Sequence, residues 1–318
     1  MIIINPFLFG ADFYFVLNLH YFPCNLNFYS ADFSYHCIFA KNYTLKRIII
    51  LMLLMSLGIQ AQTQRFIYEM QFRMDSLKEN YEKISFALDV NPKDIKYYEF
   101  SYLKADSINK SRGNYENQYG SWFPSLLRDR NSFKNQNYEL IGHDMFSFPS
   151  EDHINWTLTN DTRKFGEYTL QKAMANFGGR SWTAWFTKEI SISEGPYKFR
   201  GLPGLIFQLE DSRSQYIFTL IKNRNLAETY STTGFIETYY GRKPLEISEK
   251  TRVRKKLEFY NDPLHDMRNS YKDNMQGEMF VMGTKITSME QFNELSKKLQ
   301  EMIRKTNNPI ELDKAMTY

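Results

Sequence analysis

Over residues 138–223 the chain alternates short runs rich in β-branched and aromatic residues with compact turn signals, a punctuation that leaves few folds open. Residues 138–141, 154–159, 164–175, 180–192, 205–210 and 216–223 each suit a strand. Thr159-Asn160-Asp161, Gly178-Gly179, Glu194-Gly195-Pro196 and Asp211-Ser212-Arg213-Ser214 separate most of them. Strands at this spacing, joined by short turns, predict an antiparallel meander. Leu205, Phe207 and Leu209 share one face of their strand, with Ile206, Gln208 and Glu210 on the other. Residues 216–221 are apolar on both faces, which predicts a central strand.

Within the meander, residues 195–211 hold two Gly/Pro pairs around an aromatic-basic segment. Leu202-Pro203-Gly204-Leu205 has the chemistry of a type II turn, with proline presetting φ and glycine accepting the positive φ that follows. Gly195-Pro196 is expected to end one strand, and Gly201 to Gly204 to turn the chain into the next as a hairpin connection.

Elsewhere, alternation over residues 64–74 predicts a half-buried strand, and residues 84–90 and 96–104 predict two more. Residues 109–137 are rich in Asn, Ser, Arg, Gln and Gly and read as a long loop with a short helical or turn segment near 122–127. The basic run at 250–256 reads as a solvated helix face. Residues 288–305 give the clearest helix, with an apolar stripe of Met289, Phe292, Leu295, Leu299, Met302 and Ile303. Thr287 and Glu290 there have capping-box spacing. The expected fold is mainly β (α+β): an antiparallel curved sheet or half-barrel with a C-terminal amphipathic helix packed on it.

Residues 45–61 carry the three parts of a signal peptide: basic Lys46-Arg47, an apolar run at 48–57, and Ile59-Gln60-Ala61 as the cleavage site. The apolar run is about half the ~20 residues needed to span a bilayer. Residues 1–44 are expected to be a mis-annotated upstream extension, and residues 62–318 one β-rich exported domain with no integral membrane span. Both cysteines, Cys24 and Cys37, lie in the extension. The exported domain therefore has no disulfide, thiolate ligand or cysteine nucleophile at its disposal. A net charge of +4 over the whole chain gives no reason to expect nucleic acid. Aromatic residues at 16% favour large side chains packed on pleated sheet.

Chemistry-bearing motifs are sparse. His143, His153 and His265 form no zinc-binding spacing, Ser181 follows Gly-Gly-Arg rather than sitting in a nucleophile elbow, and no cofactor fingerprint is present. Glu189, Glu194, Glu210 and Asp211 flank turns, where carboxylates are common for solvation alone; paired, they would suit glycoside hydrolysis. The most site-like cluster interleaves Trp182, Trp185, Tyr197 and Phe199 with Arg180, Lys198 and Arg200. Such a cluster can line a pocket for an amphipathic or anionic ligand. It can equally be core aromatics beside edge-strand cations that block aggregation.

Gly201-Leu202-Pro203-Gly204-Leu205-Ile206 resembles the hexapeptide after which the GLPGLI family of Bacteroidota envelope proteins is named. Gly179-Arg180, Ala184-Trp185-Phe186-Thr187, Glu189-Ile190, Gly195-Pro196 and Lys198-Phe199 match around it, over about residues 154–222. Tyr168, Lys172-Ala173 and Asn308-Pro309-Ile310-Glu311-Leu312 look like further family positions. Leu170 stands where the family often has cysteine, so any role of that cysteine is absent here. The resemblance implies an exported β-rich protein of the periplasm or outer envelope, of unestablished activity and without catalytic residues to carry over. Family members are often encoded beside TonB-dependent receptors. The leading expectation is a non-catalytic ligand- or partner-binding component associated with outer-membrane transport, with an outer-membrane receptor or other envelope protein as partner. A hydrolase using carboxylates or histidines near the hexapeptide, and a structural partner of a TonB-dependent receptor, are the alternatives.

Overall fold

The structure is a computed structural model describing residues 63–114, 120–121, 123–271 and 278–318. The signal-peptide segment, the upstream extension with its cysteines, and Trp122 lie outside the described residues. In chain order the strands are β1 (Thr63–Phe72), β2 (Glu82–Val90), β3 (Asp94–Glu99), β4 (Ser125–Asp129), β5 (Lys134–Ile141), β6 (Asp144–Glu151), β7 (Thr157–Phe165), β8 (Tyr168–Phe177), β9 (Arg180–Thr187), β10 (Leu205–Asp211), β11 (Tyr216–Leu226), β12 (Leu245–Glu246), β13 (Phe280–Val281) and β14 (Thr284–Lys285). The helices are α1 (Ser101–Arg112), α2 (Glu249–Asn261), α3 (His265–Ser270) and α4 (Glu290–Lys305).

Twelve strands form one open sheet in the order β12-β6-β5-β4-β3-β2-β1-β11-β10-β9-β8-β7. Its pairings are antiparallel except β12 on β6. The topology is simple: one meander runs from β1 to β6, a second from β7 to β11, and β1 joins them by pairing with β11 from Thr63↔Leu226 to Phe72↔Tyr216. The first described strand is thus central and buried on both faces, as its run of aromatic and aliphatic residues allows.

The sheet curls strongly. At about 4.8 Å per strand, β3 and β9 would lie about 24 Å apart if it were flat. Three successive ring contacts instead connect them: Tyr97 of β3 to Tyr197 at 6.2 Å between centroids, Tyr197 to Phe199 at 6.4 Å, and Phe199 to Trp182 of β9 at 4.5 Å. The core inside this curve holds Phe66, Tyr68, Met70, Phe86, Phe186, Phe207 and Phe218. On the other face, α1 places Tyr102 against Tyr98, Phe235 and Ile236. Helix α4 anchors Phe292 and Leu295 in a satellite cluster with Leu264, Val281 and Ile286.

Several elements depart from the sequence reading. Residues 164–175 are not one strand, because Gly166, at φ +60°, turns β7 into β8. Thr159-Asn160-Asp161 is no turn; it bulges the edge strand β7, where the register slips between Leu158 and Thr162. The strand at 96–104 stops at Glu99 and becomes α1, and within the loop expected over 109–137, residues 109–112 are helix end, 125–129 are β4 and 134–137 begin β5. The strand at 180–192 stops at Thr187. The expected Thr287/Glu290 capping box is replaced by Gln291, whose Oε1 accepts from the backbone N–H of Thr287 and Ser288.

Candidate functional site

The seventeen-residue connection from β9 to β10 is not a tight hairpin turn but a loop folded into the core. Gly195-Pro196 ends no strand and sits buried in the middle of it. Leu202-Pro203-Gly204-Leu205 is not a type II turn: the Gly204 N–H donates to Leu202 C=O at 2.8 Å, while Leu205 N–H reaches Ile190 C=O at 3.2 Å. Proline at the centre of that three-residue turn supplies the φ it needs. Gly201 and Pro203 are exposed; Leu202 and Gly204 are buried.

Beneath the loop lies a buried network of charges. Glu194 accepts from Arg128 of β4, and the Arg200 guanidinium lies 3.4 Å from its other oxygen. Lys198, 1% exposed, bridges Asp152 (3.2 Å) and Glu311 (2.8 Å). Tyr197 takes a left-handed backbone (φ +55°), uncommon for a bulky residue, and its phenol donates to Glu311 at 2.6 Å. Arg180 clamps the same C-terminal segment through Asn308 (2.6 Å), Pro309 C=O (2.8 Å) and Ile310 C=O (3.0 Å). Gly178 lies so close beneath this segment that a Cβ there would sit 2.8 Å from the Glu311 Cα. Loop and C-terminal segment are one buried unit.

A cleft of about 540 Å³ opens beside it. Phe72 of β1 and Glu139 and Ile141 of β5 contribute from the sheet, Met74 and Phe123 from the segments flanking it, Arg252, Lys256 and Phe259 from α2, and Leu299 and Ile303 from α4. Residues 306–311, with Lys314, Met316 and Tyr318, complete the wall. Two buried carboxylates face it. Glu139 accepts from Arg252 Nε and Lys256 Nζ, both at 2.6 Å. Glu311 accepts from Tyr197, Lys198 and Lys314. Burial pushes the Glu139 carboxyl up, but Lys256 and Arg252 outweigh it and leave its pKa lowered. Burial likewise pushes Glu311 up, and Lys198 and Lys314 overcome this to hold it at about 2. Burial and the Glu311 charge raise the Tyr197 phenol well above its ordinary value, so it stays a donor.

The Glu311 shift predicts an acid dependence. A carboxylate whose pKa is depressed on folding stabilises the protein above its unfolded value near 4.5, and that stability fades as pH falls toward 2. The effect is on the order of 3 kcal/mol. Urea unfolding at pH 6 to 2 is expected to show Glu311→Gln less stable than the wild type at pH 6 and flatter in its pH profile. Parallel profiles would contradict the ion-pair assignment.

The expected ligand surface is largely interior. Trp182, Tyr197, Lys198 and Phe199 are at most 4% exposed, and Arg180 and Arg200 are also buried. Trp182 and Phe199 pack on each other, so no pocket opens between them. Trp185 is half-buried with the Arg163 guanidinium 3.9 Å over its ring. Only Tyr197 of this cluster lines the cleft. The residues considered for hydrolysis do not converge. His143 and His153 sit beyond opposite ends of β6, while Glu189 and Glu210 flank opposite ends of the β9–β10 pairing. Among the described residues no group of three or more His, Cys, Asp or Glu is placed to hold a metal ion. Sequence reasoning missed Glu139, Arg252 and Lys256 as a site; their signal was a glutamate on a strand and an arginine inside a basic helix.

Comparison with known proteins adds little chemistry. No helix among the described residues is long and apolar enough to cross a membrane. No curated protein matches the chain. Two crystal forms of PNGF-II, in space groups C2 and P21, are similar at 12% and 13% identity, each with a TM-score of 0.46. The likeness covers 62% of this chain and 33% and 34% of those chains, about a third of their length. Residues 178–208, which span β9, the buried loop and the start of β10, match the model of a family described as a protein of unknown function, Porph_ging.

Proposed function

We propose that this chain is an exported, non-catalytic binding protein of the GLPGLI type that holds a small ligand in the cleft between the sheet, α2, α4 and the C-terminal segment. The observation that carries the reading is the cleft: a mainly apolar recess of about 540 Å³ with a few charged groups in its lining. Ligand sites have this character, being concave, mainly apolar and about 300–1,000 Å³ in volume, with a few placed polar groups. The hexapeptide at 201–206 supports the GLPGLI assignment, and the pattern at 45–61 supports export to the periplasm or outer envelope. An association with an outer-membrane transport system follows from the same resemblance.

The test uses N-phenyl-1-naphthylamine, a neutral apolar dye that fluoresces out of water. The wild-type protein is expected to bind one molecule with a micromolar Kd. Ile303→Trp, which fills the cleft from α4, is expected to weaken binding at least tenfold while leaving the far-ultraviolet circular dichroism unchanged. Equal binding by folded Ile303→Trp, or no saturable binding by the wild type, would remove the cleft as the site.

A further inference from the structure

We propose that the cleft takes a single-chain amphiphile with an anionic head group, seated between Lys256 and Lys314. This rests on the cleft being the binding site and adds the chemistry of what fills it. The apolar wall sets the body of the ligand: Phe72, Phe123, Leu299 and Ile303 offer no side-chain hydrogen-bonding group, so the part of the ligand against them is hydrocarbon.

The charged wall sets the head. Both oxygens of each carboxylate there already hold a donor. Glu139 has Lys256 on one oxygen and the Arg252 Nε on the other. Glu311 has Tyr197 and Lys198 on one oxygen and Lys314 on the other. A cationic head group would find no bare carboxylate oxygen among these. The lysines are in the opposite position. An ammonium carries three N–H donors. Among the described residues Lys256 meets only Glu139, and Lys314 meets only Glu311 with its side chain. Their side chains are 24% and 34% exposed, whereas Lys198, which has two carboxylates, is sealed at 1%. The cleft thus presents cations with open N–H donors and, on these two glutamates, no carboxylate oxygen without a cation or hydroxyl donor on it.

Both lysines line the cleft. Lys256 stands one helical turn after Arg252, so both project from one face of α2. Arg252 is also paired with Glu249 at 2.7 Å, and Lys314, from the C-terminal segment, lines the same cleft. Carboxylate and phosphate head groups share the required chemistry, accepting several charge-assisted hydrogen bonds at once.

Calorimetric titration of the delipidated full chain with dodecanoate, dodecyl phosphate, dodecanol and dodecyltrimethylammonium tests the assignment. Both anions are expected to bind one per chain and at least tenfold more tightly than dodecanol, with no saturable heat from the ammonium compound. Whichever anion binds tighter identifies the head group. In the Lys256→Gln/Lys314→Gln double variant the preference for anion over alcohol is expected to vanish. Lys256→Arg/Lys314→Arg is expected to keep it. The double glutamine variant retains Arg252 on Glu139 and Lys198 on Glu311, so it is expected to fold. Dodecanol binding as tightly as both anions, or a preference that survives in the glutamine variant, overturns the head-group assignment. If the neutral dye still binds and Ile303→Trp still blocks it, that failure leaves the cleft standing as a site; if the dye also fails to bind, the cleft itself is wrong.

Discussion

Replacing Gly204 with alanine is expected to destabilise the protein by about 4 kcal/mol or more, among the largest effects a single methyl group can have. The backbone at Gly204 has φ +149°, a region that L-residues rarely enter. A Cβ there would lie 1.9 Å from the Thr187 carbonyl oxygen and 2.6 Å from its carbon. Both are backbone atoms, so no rotamer change relieves the clash. Thr187 cannot retreat either, since it pairs with Leu205 at the end of the β9–β10 ladder. The turn would have to open, withdrawing Leu202 and Leu205 from the core. Gly201 is the control from the same hexapeptide. It has φ +96°, but the nearest atom to an added Cβ is Trp156 Cδ1 at 3.9 Å, so alanine there meets backbone strain alone, about 1–3 kcal/mol. Urea denaturation at pH 7 should place Gly204→Ala well below Gly201→Ala in midpoint, with similar m values. Equal midpoints would show that conformational preference, not close approach, makes glycine necessary.

That contrast also shows what the sequence could disclose. The leucine-proline-glycine run signals a turn, and β9, β10 and β11 appear where alternation and turn chemistry predict. The reason for Gly204 is a carbonyl seventeen positions back, which local turn rules do not contain. Helix α1 was hidden for a different cause: Tyr97, Tyr98, Phe100 and Tyr102 read as one β-prone run. The chain leaves the strand after Glu99, and Tyr102 packs on Phe235 from a helix. The site was harder still. In β5 the buried positions are Asn135, Asn137, Glu139 and Ile141, so the usual polar-out pattern is reversed. Asn135 donates to Asp152, Asn137 to Phe148 C=O, and Glu139 accepts from Arg252, which makes polar burial affordable. Glu139 and Arg252 are 113 positions apart, as are Lys198 and Glu311. Pairing of β12 beside β6 delivers α2 to β5, and the loop after β9 meets the C-terminal segment. The aromatic-basic cluster was visible from its composition, but composition does not distinguish a lining from an interior. Lys198 and Arg180 resemble surface cations in sequence; buried carboxylates, amides and carbonyls allow them inside.

Arg180→Ala is expected to cost about 3–5 kcal/mol, the range for breaking a buried ion pair from one side. All five guanidinium N–H donors are in use: Nε on Ile310 C=O, one terminal nitrogen on Asp211 and Gln215, the other on Asn308 and Pro309 C=O. Truncation leaves those two carbonyls without this donor. It also removes the partner cation of Asp211, which keeps only the backbone N–H groups of Gln215 and Tyr216. Arg180→Lys is expected to recover less than half of the loss. An ammonium has three donors and no planar fork, so it cannot reach all five acceptors. The local consequence matters more than the total. Arg180 fastens Asn308, Pro309 and Ile310, and the next residue is Glu311, the anchor of Lys198, Tyr197 and Lys314. If the segment acts as one unit, Arg180 and Glu311 must be coupled although no contact joins them directly. A double-mutant cycle between Arg180→Ala and Glu311→Gln is therefore expected to be non-additive by about 0.5–3 kcal/mol, the range for residues that share a network. Each single variant already loosens the segment, so the second loses little more. Hydrogen exchange should agree, with protection at the Asp313 amide, which donates to Gly178 C=O, falling in both single variants. Additivity within about 0.5 kcal/mol would mean that the clamp and the ion network hold independent pieces. The position of Glu311 in the cleft wall would then not depend on Arg180.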